Sequence, residues 1–118
     1  MLLCARQEER LVAEAKRIAE KYAVSAVAVR ADVSKAEDIV SVGRAAEEEF
    51  GGVDILINNA GTGSEETIME AADEKWQAYW DLHVMAAVRT TRVIVPLMRK
   101  RGGGVIINNA SICAKQPL

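Results

Sequence analysis

Two rhythms of apolar residues alternate along this chain, solid runs and three-four spacings, and each switch between them marks an element. Met1 to Ala5 is a short apolar run, read as a strand. After the polar stretch Arg6–Arg10, Leu11, Ala15, Ile18 and Tyr22 recur at helical spacing, with Glu14, Lys16, Arg17 and Lys21 on the other faces. Val24 to Val29 predicts a second strand. Ser34 and Glu37 have capping-box spacing, which predicts a helix burying Ile39, Val42, Ala46 and Phe50 and stopped by Gly51-Gly52. Val53 to Asn58 is a third strand. The small-residue loop Gly61-Thr62-Gly63-Ser64 leads to a long helix opened by Thr67 or Asp73. Its expected inner face is Trp76, Trp80, His83 or Val84, Ala87, Thr91, Ile94 and Met98, with Pro96 bending the last turn. Gly102-Gly103-Gly104 ends it, and a last strand runs to Asn109.

The runs before Asn58-Asn59-Ala60-Gly61 and Asn108-Asn109-Ala110-Ser111 carry the most information. Neither alternates, so each is expected to be a strand buried on both faces, as in a parallel sheet covered by helices. Both stop abruptly in amides and small residues, and open α/β sheets place ligands just past the carboxyl ends of their strands. Gly61 admits a backbone approach that a side chain would forbid. The order, about four strands alternating with three helices, implies right-handed crossovers and an α/β parallel sheet with helices on both faces.

Composition narrows the partners. Of 118 residues 50% are hydrophobic, 27% charged and only 4% aromatic, so the core must be aliphatic. A net charge of −2 argues against nucleic acid or anionic lipid as the main partner. The cluster Arg99-Lys100-Arg101 closes a helix, where cations favour the dipole. Cys4 and Cys113 lack metal-site or disulfide spacing and are expected to be buried thiols, with no metal bound. No basic-then-apolar leader opens the sequence and no apolar stretch reaches ~18 residues, so a cytoplasmic, membrane-free setting is expected.

The motif Asn58-Asn59-Ala60-Gly61 after Val53-Asp54-Ile55-Leu56-Ile57, the pair Asp32-Val33, Trp76 opening a helix, and Gly104–Ser111 together resemble the short-chain dehydrogenases/reductases along essentially the whole chain. The resemblance implies a Rossmann-like fold, with residues 1–118 as part of one NAD(P)-binding domain, and an oxidoreductase acting on a carbonyl or secondary alcohol. Carried over by position, Asp32 would accept from the adenine amino group and Val33 would pack at the adenine edge. Asn59, Ala60 and Gly61 would line the cofactor, and Ser111 would hold the substrate oxygen. Arg6 stands where the cofactor ribose is read. An arginine there favours a 2′-phosphate and hence NADP over NAD, unless it merely begins a solvated helix turn. His83, seven residues after Trp76, takes the place of the family's helix asparagine. It would either orient a relay water or be a helix histidine satisfied by a neighbour.

The sequence also departs from the family. It contains neither the Thr-Gly-x-x-x-Gly-x-Gly turn nor a Tyr-x-x-x-Lys pair, since Ala26 and His83 stand four residues after Tyr22 and Tyr79. The expectation is therefore a catalytically incomplete oxidoreductase, or a non-catalytic nucleotide-binding or partner-binding fragment. In the family's sheet a further strand lies between those that here are Leu2–Ala5 and Val53–Asn58. Its absence predicts a gap of ~4.8 Å spacing on either side. The two halves would close up, remain marginally folded, or take a complementary fragment or second copy as partner.

Overall fold

A computed structural model describes residues 1–111. The elements are β1 (Leu2–Ala5), α1 (Glu8–Tyr22), β2 (Val27–Arg30), α2 (Ala36–Phe50), β3 (Ile55–Asn58), α3 (Asp73–Trp80), a π-helical segment (Asp81–Met85), α4 (Ala86–Lys100) and β4 (Val105–Asn108). Strand and helix alternate as the apolar rhythm predicts, and every strand pair is parallel, giving a Rossmann-like α/β fold. The strands are shorter than their apolar runs: Val24, Val53 and Asn109 lie outside the ladders.

The sheet is split. β1 pairs with β2 from Leu2↔Val27 to Ala5↔Arg30, and β3 with β4 from Ile55↔Val105 to Asn58↔Asn108. Among the described residues no ladder joins the two pairs. One core nevertheless spans them: Ala46, Ile94, Leu97 and Met98 are buried, with Leu2, Val53, Leu56 and Ile106 packed against them. α1 packs on β1 and β2, whereas α2 and α4 pack on each other and α4 covers β3. Close approach of α2 to α4 depends on Gly43, where a Cβ would lie 2.3 Å from Val93 Cγ1.

Burial corrects several expectations. Leu56 and Ile106 face the core, but their neighbours Ile55, Ile57, Val105 and Ile107 are 60, 59, 56 and 46% exposed. Successive strand residues point to opposite faces, so one whole face of the β3–β4 pair is open rather than covered. Helices lie over the Leu56 face, and none of the described elements lies over the other. Cys4 is likewise exposed, not buried, and Cys113 falls outside the described residues. In α1, Leu11 and Ala15 are buried but Tyr22 is 59% exposed. Trp76 and Trp80 are 51 and 54% exposed and no residue of α3 is fully buried, so full burial along the long helix begins only at Ala86, beside the expected Ala87.

Helix starts differ too. Neither Ser34 nor Thr67 caps a helix with its side chain: α2 starts after Lys35 and α3 after Ala72. Thr67 instead shares a turn with Glu70, whose carboxylate accepts from the Thr67 N–H and hydroxyl at 3.0 and 2.9 Å. Gly51 does end α2, in a left-handed conformation (φ 70°) with its N–H donating to Glu47 O. Two residues of the basic cluster at the end of α4 are structural, as expected: Lys100 pairs with Glu47, and Arg101 grips Asp54 with two bonds of 3.1 and 3.0 Å. Among the described residues no helix is long and apolar enough to cross a membrane.

Candidate functional site

Parallel pairing brings the predicted residues other than His83 to carboxyl strand ends, in two groups. At the β1–β2 end, Ala31 N–H donates to Ala5 O at 3.0 Å, so Arg6 and Asp32 leave adjacent strands side by side. Asp32 is held firmly. Its Oδ1 accepts from both the N–H and the hydroxyl of Ser34, at 3.0 and 2.7 Å, and its own N–H donates to Asp38 Oδ2 at 2.7 Å. Ser34 thus serves this turn rather than the expected cap: its N–H and hydroxyl both donate to Asp32, and its oxygen accepts from no α2 N–H. Those bonds, with smaller help from the charges of Arg6 and Lys35, hold the Asp32 carboxyl below its ordinary range, against a burial effect that raises it. Oδ2 has no partner among the described residues. Val33 beside it is half-buried. Arg6 lines a surface cleft of about 670 Å³ with Ala5, Gln7, Arg10, Leu11 and Glu14.

At the β3–β4 end the amides zip together. Asn58 Nδ2 donates to Asn108 Oδ1 at 2.8 Å and Asn109 Nδ2 to Asn59 Oδ1 at 2.6 Å, with Asn109 N–H on Asn58 O at 2.9 Å. The side-chain carbonyl of Asn59 thus holds β4. Ala60 and Gly61 continue from it as exposed chain, and Ser111, also exposed, lies two residues past Asn109. The strand tips therefore converge.

His83 reaches this loop from the long helix. Its Nε2 accepts the Thr62 N–H at 3.0 Å, which puts the ring hydrogen on Nδ1. A Cβ on Gly61 would sit 3.5 Å from His83 Nε2 and Cδ2, ordinary contact, and Gly61 has no positive φ. Nothing among the described residues requires glycine there. The four-residue spacing of Tyr79 and His83 is a real contact, with rings stacked at 5.6 Å and 19°. Lys75 lies 5.8 Å over the Tyr79 ring, and the Tyr79 hydroxyl is buried with no hydrogen-bond partner among the described residues. His83 sits within the π-helical segment, whose wider turn closes where Ala86 N–H meets Asp81 O.

One residue without a sequence signal ties the groups together. Arg89 donates from Nη1 to Ser34 O at 2.9 Å and from Nη2 to Asp81 Oδ1 at 3.0 Å. It links the Asp32 turn to the helix that carries His83. Gln77 and then Arg89 keep the Asp81 carboxyl below its usual range, opposing burial. Sequence spacing also missed Thr62 and Asn109, whose roles are set by backbone and cross-strand partners distant in sequence.

The chain matches the short chain dehydrogenase family over residues 1–118. It is 35% identical to an uncharacterised oxidoreductase of Staphylococcus saprophyticus, over 95% of this chain and 48% of that protein. It is 42% identical to D-beta-hydroxybutyrate dehydrogenase of Cupriavidus necator, over 69% of this chain and 31% of that one. Among solved structures, L-sorbose reductase from Gluconobacter frateurii, complexed with NADPH and L-sorbose, superposes with a TM-score of 0.95 at 60% identity. That match covers 99% of this chain and 44% of the reductase. The chain thus spans less than half the length of these relatives. With the double-amide turn, the Asp32 turn and the serine beyond β4 all at carboxyl strand ends, this chain belongs to the short-chain dehydrogenases.

Proposed function

We propose that residues 1–118 form part of the NAD(P)-binding domain of an NADP-dependent oxidoreductase acting on a carbonyl or secondary alcohol, in a cytoplasmic setting. The observation that carries this reading is the convergence at the β3–β4 tips. There Gly61, which no contact among the described residues needs as glycine, lies exposed beside His83. A bound molecule approaching the backbone closely gives that glycine a purpose. The residues fit a dinucleotide at both ends. Asp32 Oδ2 is available for the adenine amino group, Val33 for the ring edge and Arg6 for a 2′-phosphate, while Asn59, Ala60 and Gly61 line the nicotinamide side. When bound, the cofactor supplies the hydride exchanged with the substrate carbon.

The chain's own groups bind and orient. The Ser111 hydroxyl holds the substrate oxygen by donating to it. His83, anchored at Nε2 by Thr62, keeps the loop in place and has Nδ1–H to orient a water toward the proton path. The tyrosine–lysine pair that would donate the proton does not occur within these residues, so they are catalytically incomplete. NADPH in the sorbose reductase supports NADP; the L-sorbose bound there makes a polyhydroxy ketone the substrate class favoured among carbonyls. A second reading, a binding fragment that docks on a complementary segment or a second copy, draws on the open apolar face of β3 and β4.

Calorimetric titration with NADPH and NADH, followed by an assay with L-sorbose, tests both. The expected result is binding of NADPH in preference to NADH without turnover. Failure to bind either nucleotide overturns the dinucleotide reading. Turnover by the purified chain overturns its incompleteness.

A further inference from the structure

We propose that Tyr79 is a positioning residue for His83, and that the two clasp the loop beyond Gly61, closed while the imidazole is neutral and released by its protonation. The inference deepens the nucleotide reading above and rests on it, because this loop begins on the nicotinamide side. Lys75, Tyr79 and His83 step by four along one helix face and lie in series. Lys75 Nζ is 5.8 Å over the Tyr79 ring, which stacks on His83 at 5.6 Å and 19°. The loop meets this row at both ends. Glu66 Oε1 lies 3.3 Å from Lys75 Nζ, and Thr62 N–H donates to His83 Nε2 at 3.0 Å. Residues 61–70 are exposed throughout, so these two clamps tie an otherwise open loop to the helix.

The two ends respond differently to acid. Hydrogen bonds from Ser64 and then Lys75 hold the Glu66 carboxyl below its ordinary range, against a burial effect that raises it. That clamp therefore persists in mild acid. The His83 clamp needs a lone pair: a neutral imidazole accepts at one nitrogen, whereas an imidazolium donates at both. Protonation sets N–H against the Thr62 N–H and breaks the bond, in the range from about pH 5 to about pH 8 where histidine changes charge. The neighbouring charges are already engaged. Asp81, on the same helix, gives one oxygen to Gln77 and the other to Arg89. On the loop Glu66 pairs with Lys75, Glu70 holds Thr67, and Glu65 is exposed. The strand tips Asn58–Gly61 and Asn108–Ser111 present amides and small side chains. Tyr79 supplies the face that fixes the imidazole plane. Its hydroxyl is buried and makes no hydrogen bond among the described residues, so the ring and not the oxygen carries this role.

His83 is the one histidine of the sequence, so its imidazole signal in NMR is unambiguous. The test follows that signal and the Thr62 amide from about pH 5 to about pH 8 in the purified chain and its Tyr79→Phe, Tyr79→Leu and His83→Asn variants. The Thr62 amide is expected to titrate with the His83 midpoint and to lose about tenfold of its protection from exchange at the acid end. Tyr79→Phe should behave like the unsubstituted chain, and Tyr79→Leu should uncouple Thr62 from the imidazole. His83→Asn, whose side-chain oxygen accepts at any pH, should abolish the response. A Thr62 amide indifferent to His83 protonation in the unsubstituted chain overturns the clasp. Equal coupling in Tyr79→Leu overturns the role of Tyr79. Titration with NADPH is the second arm. Between about pH 8 and about pH 6, binding should weaken about fivefold more in the unsubstituted chain than in His83→Asn, a comparison that cancels ionisation of the 2′-phosphate. An equal change in both overturns control of binding by the clasp. Absence of binding, with Thr62 still following His83, overturns the nucleotide reading and supports the clasp.

Discussion

Asp32 illustrates how a single side chain serves the fold and the site at once. One carboxylate oxygen closes the turn through Ser34, and the other remains available. Because the folded state holds its pKa below the ordinary value of an unfolded aspartate, this contribution to stability is fully present above that ordinary value. It is lost as pH falls through the lowered folded value. Urea denaturation from about pH 6 to about pH 2 should therefore show a shallower acid-side decline for Asp32→Asn than for the unsubstituted chain, and a loss of about 1 kcal/mol at the upper end. An unchanged acid limb would remove Asp32 from this account. The sequence made Asp32 legible through its family pattern, yet misassigned Ser34, because Ser34–Glu37 and Asp32–Ser34 are both plausible local pairings and spacing does not choose between them. His83 was visible by its distance from Trp76. Its partner Thr62 was not, since a backbone N–H in a loop has no signature.

Elements were read best where periodicity met burial. Ile39, Val42 and Ala46 of α2 are buried as their spacing predicts, as are Ile94 and Met98 of α4. Trp76 and Trp80 follow the same rhythm without being buried, because periodicity reports an apolar face and not what lies against it. The unalternating runs of β3 and β4 misled in the same way. Gly43 escaped notice, being an unremarked small residue inside a helix, yet it sets the approach of α2 to α4. Gly43→Ala should cost about 1–3 kcal/mol by driving a methyl into Val93. Denaturant midpoints for Gly43→Ala and for Gly43→Ala with Val93→Ala measure this, with the second change recovering part of the loss. If the single variant matches the original, the packing described here is wrong.

At the scale of the molecule, two strand pairs share one aliphatic core but present separate edges. The cross-strand neighbours Ile55–Val105 and Ile57–Ile107 form a contiguous exposed apolar face, the kind of surface that drives association. Light scattering should show concentration-dependent self-association of the chain, reduced by Ile57→Lys, with stability changed by no more than about 0.5 kcal/mol. Equal scattering by both would mean that this face is not the adhesive one. The missing ladder between β1 and β3 was legible from the family's strand order, but which helix would leave a face bare was not. Finally, the π turn at Asp81–Met85 accommodates one residue more than regular winding would. Each helical residue advances about 100° around the axis, so by absorbing the extra residue the wide turn keeps the tryptophan end and the Ile94 end of the rod in phase. Removing that residue would let regular winding run through the bend and move the imidazole off Thr62, making chain length at this bend as binding a constraint as residue identity.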